Sequence, residues 1–234
     1  IERKNTKMIA HRGLSSLETE NTHAAFIAAG NRSYYGIECD IHKTKDNIFV
    51  VIHDDNTKRV SSVNVDIKKS NYGDLLMLNM YDVDKVTTKS YLKIPTLEEY
   101  LKLCIKYEKV CVIEFKNKFL KSDILRVIEI VKQHNYLDKV IFISFYVQNL
   151  IIVRKHYDNI PLQLLVSEYN DDILDICIHH KFDLDIQHTA ITKSIIDELH
   201  EHNILVNVWT VNSPVIAEKL ISCGVDFITT DILE

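Results

Sequence analysis

The chain has 234 residues, with 28 Lys plus Arg against 33 Asp plus Glu and a formal net charge of -5. That length suits one α/β barrel, which takes roughly 250 residues. The acidic balance leaves no overall basic excess for nucleic acid or an anionic membrane, so any anion must be held by a local arrangement.

A hydrophobic fraction of 46% with only 5 Gly and 3 Pro excludes a disordered chain. There is no apolar run of roughly 18 residues to span a bilayer, and no basic-then-apolar signal segment. Read from Ile1, the chain is expected to be cytoplasmic and not inserted in a membrane, any leader or anchor ahead of Ile1 aside; the sequence leaves its oligomeric state open. Cys39, Cys104, Cys111, Cys177 and Cys223 are scattered among apolar neighbours without a CxxC pair. They read as reduced thiols rather than disulfides or zinc ligands.

In chain order, Met8-Ile9-Ala10 reads as a first strand ending at His11-Arg12-Gly13. A helix follows from His23 to Gly30, with Thr22 as N-cap and Gly30 as its stop. The second strand, Tyr35 to Ile41, leads through the turn signal Asp46-Asn47 into Phe49 to His53. A turn near Asp46 pairs residues whose numbers sum to about 92, which brings His53 back beside Glu38 to Asp40. The polar stretch 56–93 is expected to be an inserted rim segment with at most short helices. Thr96 then caps a helix whose first turn carries Glu98 and Glu99.

Beyond it, strand-like runs at Val110–Ile113, Val140–Ile143, Leu162–Val166, Phe182–Ile186, Leu205–Trp209 and Asp226–Thr229 alternate with amphipathic segments such as Ile124–Gln133 and Ile191–His202. With the first two strands these make eight, the pattern of a (β/α)8 TIM barrel over residues 1–234. A doubly wound sheet is the alternative, but no Gly-rich loop follows the first strand. Barrel active groups lie at the C-terminal ends of strands. Here those ends carry His11, Arg12, Glu38, Asp40, Glu114, Lys116, Ser144, Trp209, Thr230 and Asp231.

Strand alternation puts Glu38 and Asp40 on one face and Cys39 on the other, where it packs. Glu38, Asp40 and Glu114 would repel one another unless a hard divalent cation sat between them: Mg²⁺ or Ca²⁺, with Mn²⁺ possible. Arg12 and Lys116 supply what a phosphate needs, one as a planar fork and one as a point charge. His11 and His53 are suited to exchange a proton around that phosphate, and Trp209 to form a substrate wall. The combination reads as metal-assisted phosphoester cleavage. His42, His134, His156, His179, His180, His200 and His202, in helix-like or exposed contexts, read as structural histidines.

These residues resemble the glycerophosphodiester phosphodiesterase family, through His11-Arg12-Gly13, Glu20-Asn21-Thr22, Gly36-Ile37-Glu38-Cys39-Asp40, Val50-Val51-Ile52-His53-Asp54, Ile113-Glu114-Phe115-Lys116, Val208-Trp209-Thr210-Val211-Asn212 and Thr229-Thr230-Asp231. The likeness runs the whole chain in the family's order. It implies an (α/β)8 barrel that hydrolyses small-molecule glycerophosphodiesters, such as glycerophosphocholine or glycerophosphoethanolamine, to sn-glycerol 3-phosphate and an alcohol. It also implies His11 and His53 as acid and base, Glu38, Asp40 and Glu114 as holders of one divalent ion, and Arg12 and Lys116 as phosphate ligands. The chain departs from the family at Asp55-Asn56-Thr57, Leu17-Glu18-Thr19, Tyr35 and Ile232-Leu233. A lysophospholipase D-like or phospholipase D-like barrel, using Leu75, Leu76, Met77, Leu78 and Met80 as an apolar groove, is the second reading. A non-catalytic phosphodiester-binding barrel is the third.

Overall fold

A computed structural model describes residues 1–234. Its strands are β1 (Lys7–Ala10), β2 (Gly36–Lys43), β3 (Phe49–Val51), β4 (Met80–Tyr81), β5 (Thr88–Lys89), β6 (Val110–Phe115), β7 (Val140–Ser144), β8 (Leu162–Val166), β9 (Asp183–Gln187), β10 (Val206–Trp209) and β11 (Phe227–Thr230). Its helices are α1 (His23–Gly30), α2 (Tyr72–Leu76), α3 (Leu97–Lys106), α4 (Lys121–Gln133), α5 (Val147–Arg154), α6 (Asp171–His180), α7 (Lys193–Glu201) and α8 (Pro214–Cys223). Parallel pairing runs β1-β11-β10-β9-β8-β7-β6-β2, and β1 also pairs with β2. The ring closes as the eight-stranded TIM barrel expected from the alternation. No helix is long and apolar enough to cross a membrane.

Side-chain parity divides the core in two. Met8, Ala10, Ile37, Cys39, Ile41, Cys111, Ile113, Phe115, Val140 and Phe142 pack with the helices in one large cluster. Their alternates Ile9, Val110, Val112, Ile141, Ile143, Leu165 and Phe227 fill the barrel interior in another. Glu38, Asp40 and Glu114 share the inward parity, so the same alternation that buries the apolar residues aims the carboxylates at one another. All five cysteines are free, and Cys39 is buried in the outer cluster as its parity required.

The inward band beneath the carboxylates is also polar. Asn207 Nδ2 donates to Gln163 Oε1 at 3.0 Å, and Thr229 Oγ1 donates to Asn207 Oδ1 at 3.1 Å. Asp185, 1% exposed, has an oxygen without any partner, and burial pushes its carboxyl well above the usual range.

The hairpin forms as predicted: Ile41, His42 and Lys43 face Val51, Val50 and Phe49, each pair summing to 92. The Ile52 amide extends the pairing, donating to the Asp40 carbonyl at 3.0 Å. Thr22 caps α1 and Thr96 caps α3, the latter in a full capping box with Glu99.

Four expectations change. Gly30 does not stop α1 as a left-handed cap; it is the last helical residue, and a Cβ there would lie 2.4 Å from the Tyr107 ring. Close packing, not backbone freedom, selects glycine. The segment 56–93 holds the short helix α2 and a single 3-10 turn, but also the β4–β5 hairpin, too short to show alternation in sequence. The stretch from Leu75 to Met80 is no continuous groove: Leu75 and Met80 enter a separate small core with Val50, Ile52 and Ile94, while Met77 is 80% exposed. Finally, His42 is neither helical nor exposed but a buried residue of β2.

Gly30→Ala should cost about 1–3 kcal/mol by overpacking against Tyr107. A thermal melt should show a lower midpoint; an unchanged one would mean that the ring yields freely.

Candidate active site

Parallel register sets Asp40 beside Glu114 and Glu38 beside Val112. Oxygens of Glu38, Asp40 and Glu114 lie within 4.8 Å of one another, on residues 2%, 1% and 6% exposed. Cations enclose them. Arg12 Nε is 3.3 Å from Asp40 Oδ2, and Lys116 Nζ is 3.0 Å from Glu114 Oε1 and 3.5 Å from Asp40 Oδ1. The Arg12 main-chain N–H donates to Glu38 Oε2 at 2.8 Å, and Asn21 Nδ2 to Asp40 Oδ2 at 2.8 Å.

Burial divides the three acids. It pushes Glu38 well above the usual carboxylate range, with Asp40 and Glu114 adding repulsion. Burial, then Asp40, raises Glu114 to about 8. Asp40 resists burial because Arg12, Lys116 and His53 favour its charge, and it is held well below its ordinary value. Burial opposes the charge of Lys116 too, but Asp40 and Glu114 more than restore it.

Asp40 Oδ1 and Glu114 Oε1 are buried and lie 3.5 and 3.0 Å from Lys116 Nζ, yet neither accepts a hydrogen bond of good geometry. Two such oxygens beside a third carboxylate are what an all-oxygen site for a hard divalent cation requires, so the residues present fit such an ion.

The turn after β1 takes sparsely used backbone. Arg12 has φ 55° and Gly13 φ 81°, and a Cβ on Gly13 would meet Ala25 at 2.6 Å. Only glycine allows this turn, which points the Arg12 amide at Glu38. Asn21, also left-handed at φ 55°, donates its own amide hydrogen to the Arg12 carbonyl.

Each predicted histidine has its own carboxylate. His11 Nδ1 is 2.7 Å from Asp231 Oδ1, and His53 Nδ1 is 2.6 Å from Asp54 Oδ1. Asp231 also accepts from Ser15 Oγ at 2.9 Å and from Asn212 Nδ2 at 2.6 Å; its carboxyl overcomes burial, with the His11 bond foremost, to sit at about 2. Arg59 donates to Asp54 through Nε at 2.8 Å and through Nη1 to Glu20 Oε2 at 2.5 Å. Glu20 in turn accepts from Arg12 at 2.9 Å. Burial lowers the His53 pKa, with Arg12 and Lys116 adding to the effect against Asp40 and Asp54.

Trp209 stands at the end of β10, its indole N–H donating to the Asp185 carbonyl at 3.3 Å and its ring 5.7 Å from Phe145 in an edge contact. A cleft of about 260 Å³ opens beside His11, Arg12, Glu20 and Asp231, with Arg59 and Tyr81 of the inserted segment on its far wall. The fold thus gathers His11, Arg12, Glu38, Asp40, His53, Glu114 and Lys116 at one end of the barrel. Sequence reasoning assigned no task to Glu20, Asn21, Asp54, Arg59, Asn212 or Asp231, although most lie inside the motifs it singled out. Their roles depend on which side chains they meet, and spacing does not encode that.

A closed barrel with carboxylates, two cations and two histidines at its C-terminal rim defines a phosphoester-cleaving type of site. The family model for the glycerophosphoryl diester phosphodiesterase family matches residues 11–234, and the chain belongs to that family of phosphoric diester hydrolases. It is 31% identical to the uncharacterized protein YqiK of Bacillus subtilis over 98% of this chain and 96% of that one. It is 29% identical to a glycerophosphodiester phosphodiesterase of Bacillus altitudinis over 97% and 94%. Among solved structures, an Oleispira antarctica phosphodiesterase in complex with the product sn-glycerol-3-phosphate matches with TM-score 0.88 and 26% identity, over 96% of this chain and 92% of that one.

Glu114 also makes metal-free stability depend on pH. With its folded value raised from 4.5 to about 8, its stabilising contribution is complete below 4.5 and is lost as pH rises through 8. Asp40, displaced downward from 3.8, acts in the opposite sense only in more acidic solution. Glu38 and Asp185, raised by burial in the same way, act in the same sense as Glu114, so the metal-free chain should melt at a lower temperature at about pH 8 than at about pH 5, and Glu114→Gln should reduce the difference. A Gln variant with the parent's full slope would remove Glu114 as its source.

Proposed function

We propose that this chain hydrolyses glycerophosphodiesters, glycerophosphocholine and glycerophosphoethanolamine among them, to sn-glycerol 3-phosphate and an alcohol. Glu38, Asp40 and Glu114 hold one divalent cation, Mg²⁺ or Ca²⁺. Arg12 and Lys116 hold the phosphate, His11 and His53 are the acid-base pair, and Trp209 walls the substrate. The observation that carries this reading is the buried trio of carboxylates whose oxygens converge within 4.8 Å between Arg12 and Lys116. The family membership and the product-bound relative from Oleispira antarctica support the same substrate class.

The bound cation supplies charge neutralisation at the phosphate oxygens. The chain's own residues do the rest. Arg12 and Lys116 orient the phosphate and offset charge that grows as the ester bond breaks. With Nδ1 donating to Asp231 or Asp54, each histidine presents Nε2 as its working nitrogen. One imidazole takes the proton of the attacking hydroxyl or water, and the other gives a proton to the departing alcohol oxygen.

His11→Ala and His53→Ala should each lower the rate of glycerol 3-phosphate release by roughly 10²–10⁴-fold without changing the melting temperature appreciably. Full activity in either variant would remove that histidine from the mechanism. Exhaustive EDTA treatment should abolish release, and Mg²⁺ or Ca²⁺ should restore it. Activity that survives chelation would rule out the carboxylate site as a metal centre.

A further inference from the structure

His42 lies on β2 two residues beyond Asp40 and is 2% exposed. Its Nε2 is 3.0 Å from the His53 carbonyl oxygen, and its Nδ1 is 3.0 Å from the Asn117 side-chain nitrogen. A carbonyl only accepts, so Nε2 carries the hydrogen and Nδ1 accepts from Asn117. The other Asn117 hydrogen goes to Asp55 Oδ1 at 2.9 Å. One assignment of hydrogens therefore satisfies the imidazole and the amide together.

From Asn117 the bonding continues into the barrel rim. The Asn117 carbonyl accepts from Asn149 Nδ2 at 2.7 Å, and the same nitrogen donates to Ser144 Oγ at 3.1 Å. Ser144 Oγ donates to the Phe115 carbonyl at 2.9 Å. Asn149 and Ser144 are 1% and 0% exposed. The carbonyls on both sides of Lys116, those of Phe115 and Asn117, are thus held by one buried pair.

We propose that His42 is a positioning residue that, through Asn117, ties the main chain of His53 to the segment carrying Lys116, so that the two side chains are placed as one unit. The inference rests on the roles proposed above for His53 and Lys116. His42 bonds to the His53 carbonyl and not to its imidazole, so it governs placement rather than proton transfer. A residue that merely filled space would contribute to stability and leave turnover alone.

His42→Ala should lower kcat about 10–100-fold with KM moved by less than about threefold, the scale on which outer partners of a site act. His42→Gln, which keeps a donor where Nε2 stood, should recover most of the loss. The losses in His42→Ala and Asn117→Ala should combine to less than their product, because one connection is cut twice. Independently of turnover, Asn117→Ala should shift the imidazole NMR signals of His53, with which Asn117 shares no hydrogen bond. A folded His42→Ala with kcat within about twofold of the parent, equal losses in the Ala and Gln variants, multiplicative losses, or unmoved His53 signals would each overturn the coupling. If the parent itself releases no glycerol 3-phosphate, the functional reading fails, and the His53 signals alone decide whether His42 and Asn117 connect the two segments.

Discussion

The repulsion among three carboxylates in one buried space is the constraint around which the rest of this molecule is arranged. Glu38, Asp40 and Glu114 have almost no water to screen them, and none could stay charged there without cations close by. Arg12 and Lys116 meet that need from two different loops, and their attraction falls mainly on Asp40. Glu38 and Glu114 remain short of positive charge. That deficit, together with the Asp40 and Glu114 oxygens that Lys116 approaches without a well-formed hydrogen bond, is the physical basis for reading the cluster as a cation site.

Around this centre the fold spends its unusual backbone. The left-handed turn at Arg12 and Gly13 lets one residue present both a main-chain N–H to Glu38 and a guanidinium to Asp40. Asn21, left-handed as well, bonds to Asp40 and to the same turn. The β2–β3 hairpin returns His53 to the rim, where Asp54, Arg59 and Glu20 form a continuous chain of charge back to Arg12. A disturbance at Arg59 would thus reach both the His53 imidazole and the Arg12 guanidinium.

The paired His–Asp contacts give the site its economy. Asp231, directly after β11, is drawn in by Ser15 and Asn212 from other loops. Asp54 is the sequence neighbour of His53 and is held by Arg59, five residues further on. One contact closes the barrel's last strand onto its first, and the other is local to a turn. The same chemical arrangement is therefore reached by a long-range and a short-range route.

Much of this was legible in the sequence because strand periodicity is a local property. Alternation identified the inward face of β2, the Asp46 turn fixed the hairpin register, and polar groups at strand ends named His11, Arg12, Glu38, Asp40, His53, Glu114, Lys116 and Trp209 as candidates. What tertiary structure decided was partnership. Whether His42 is exposed or buried, whether Gly30 serves a turn or a packed ring, and which carboxylate each histidine meets depend on segments distant in sequence that approach only when the barrel closes. Residue type and spacing set which groups arrive at the rim, but their charge states and contacts follow from distances and burial, which exist only in the folded chain.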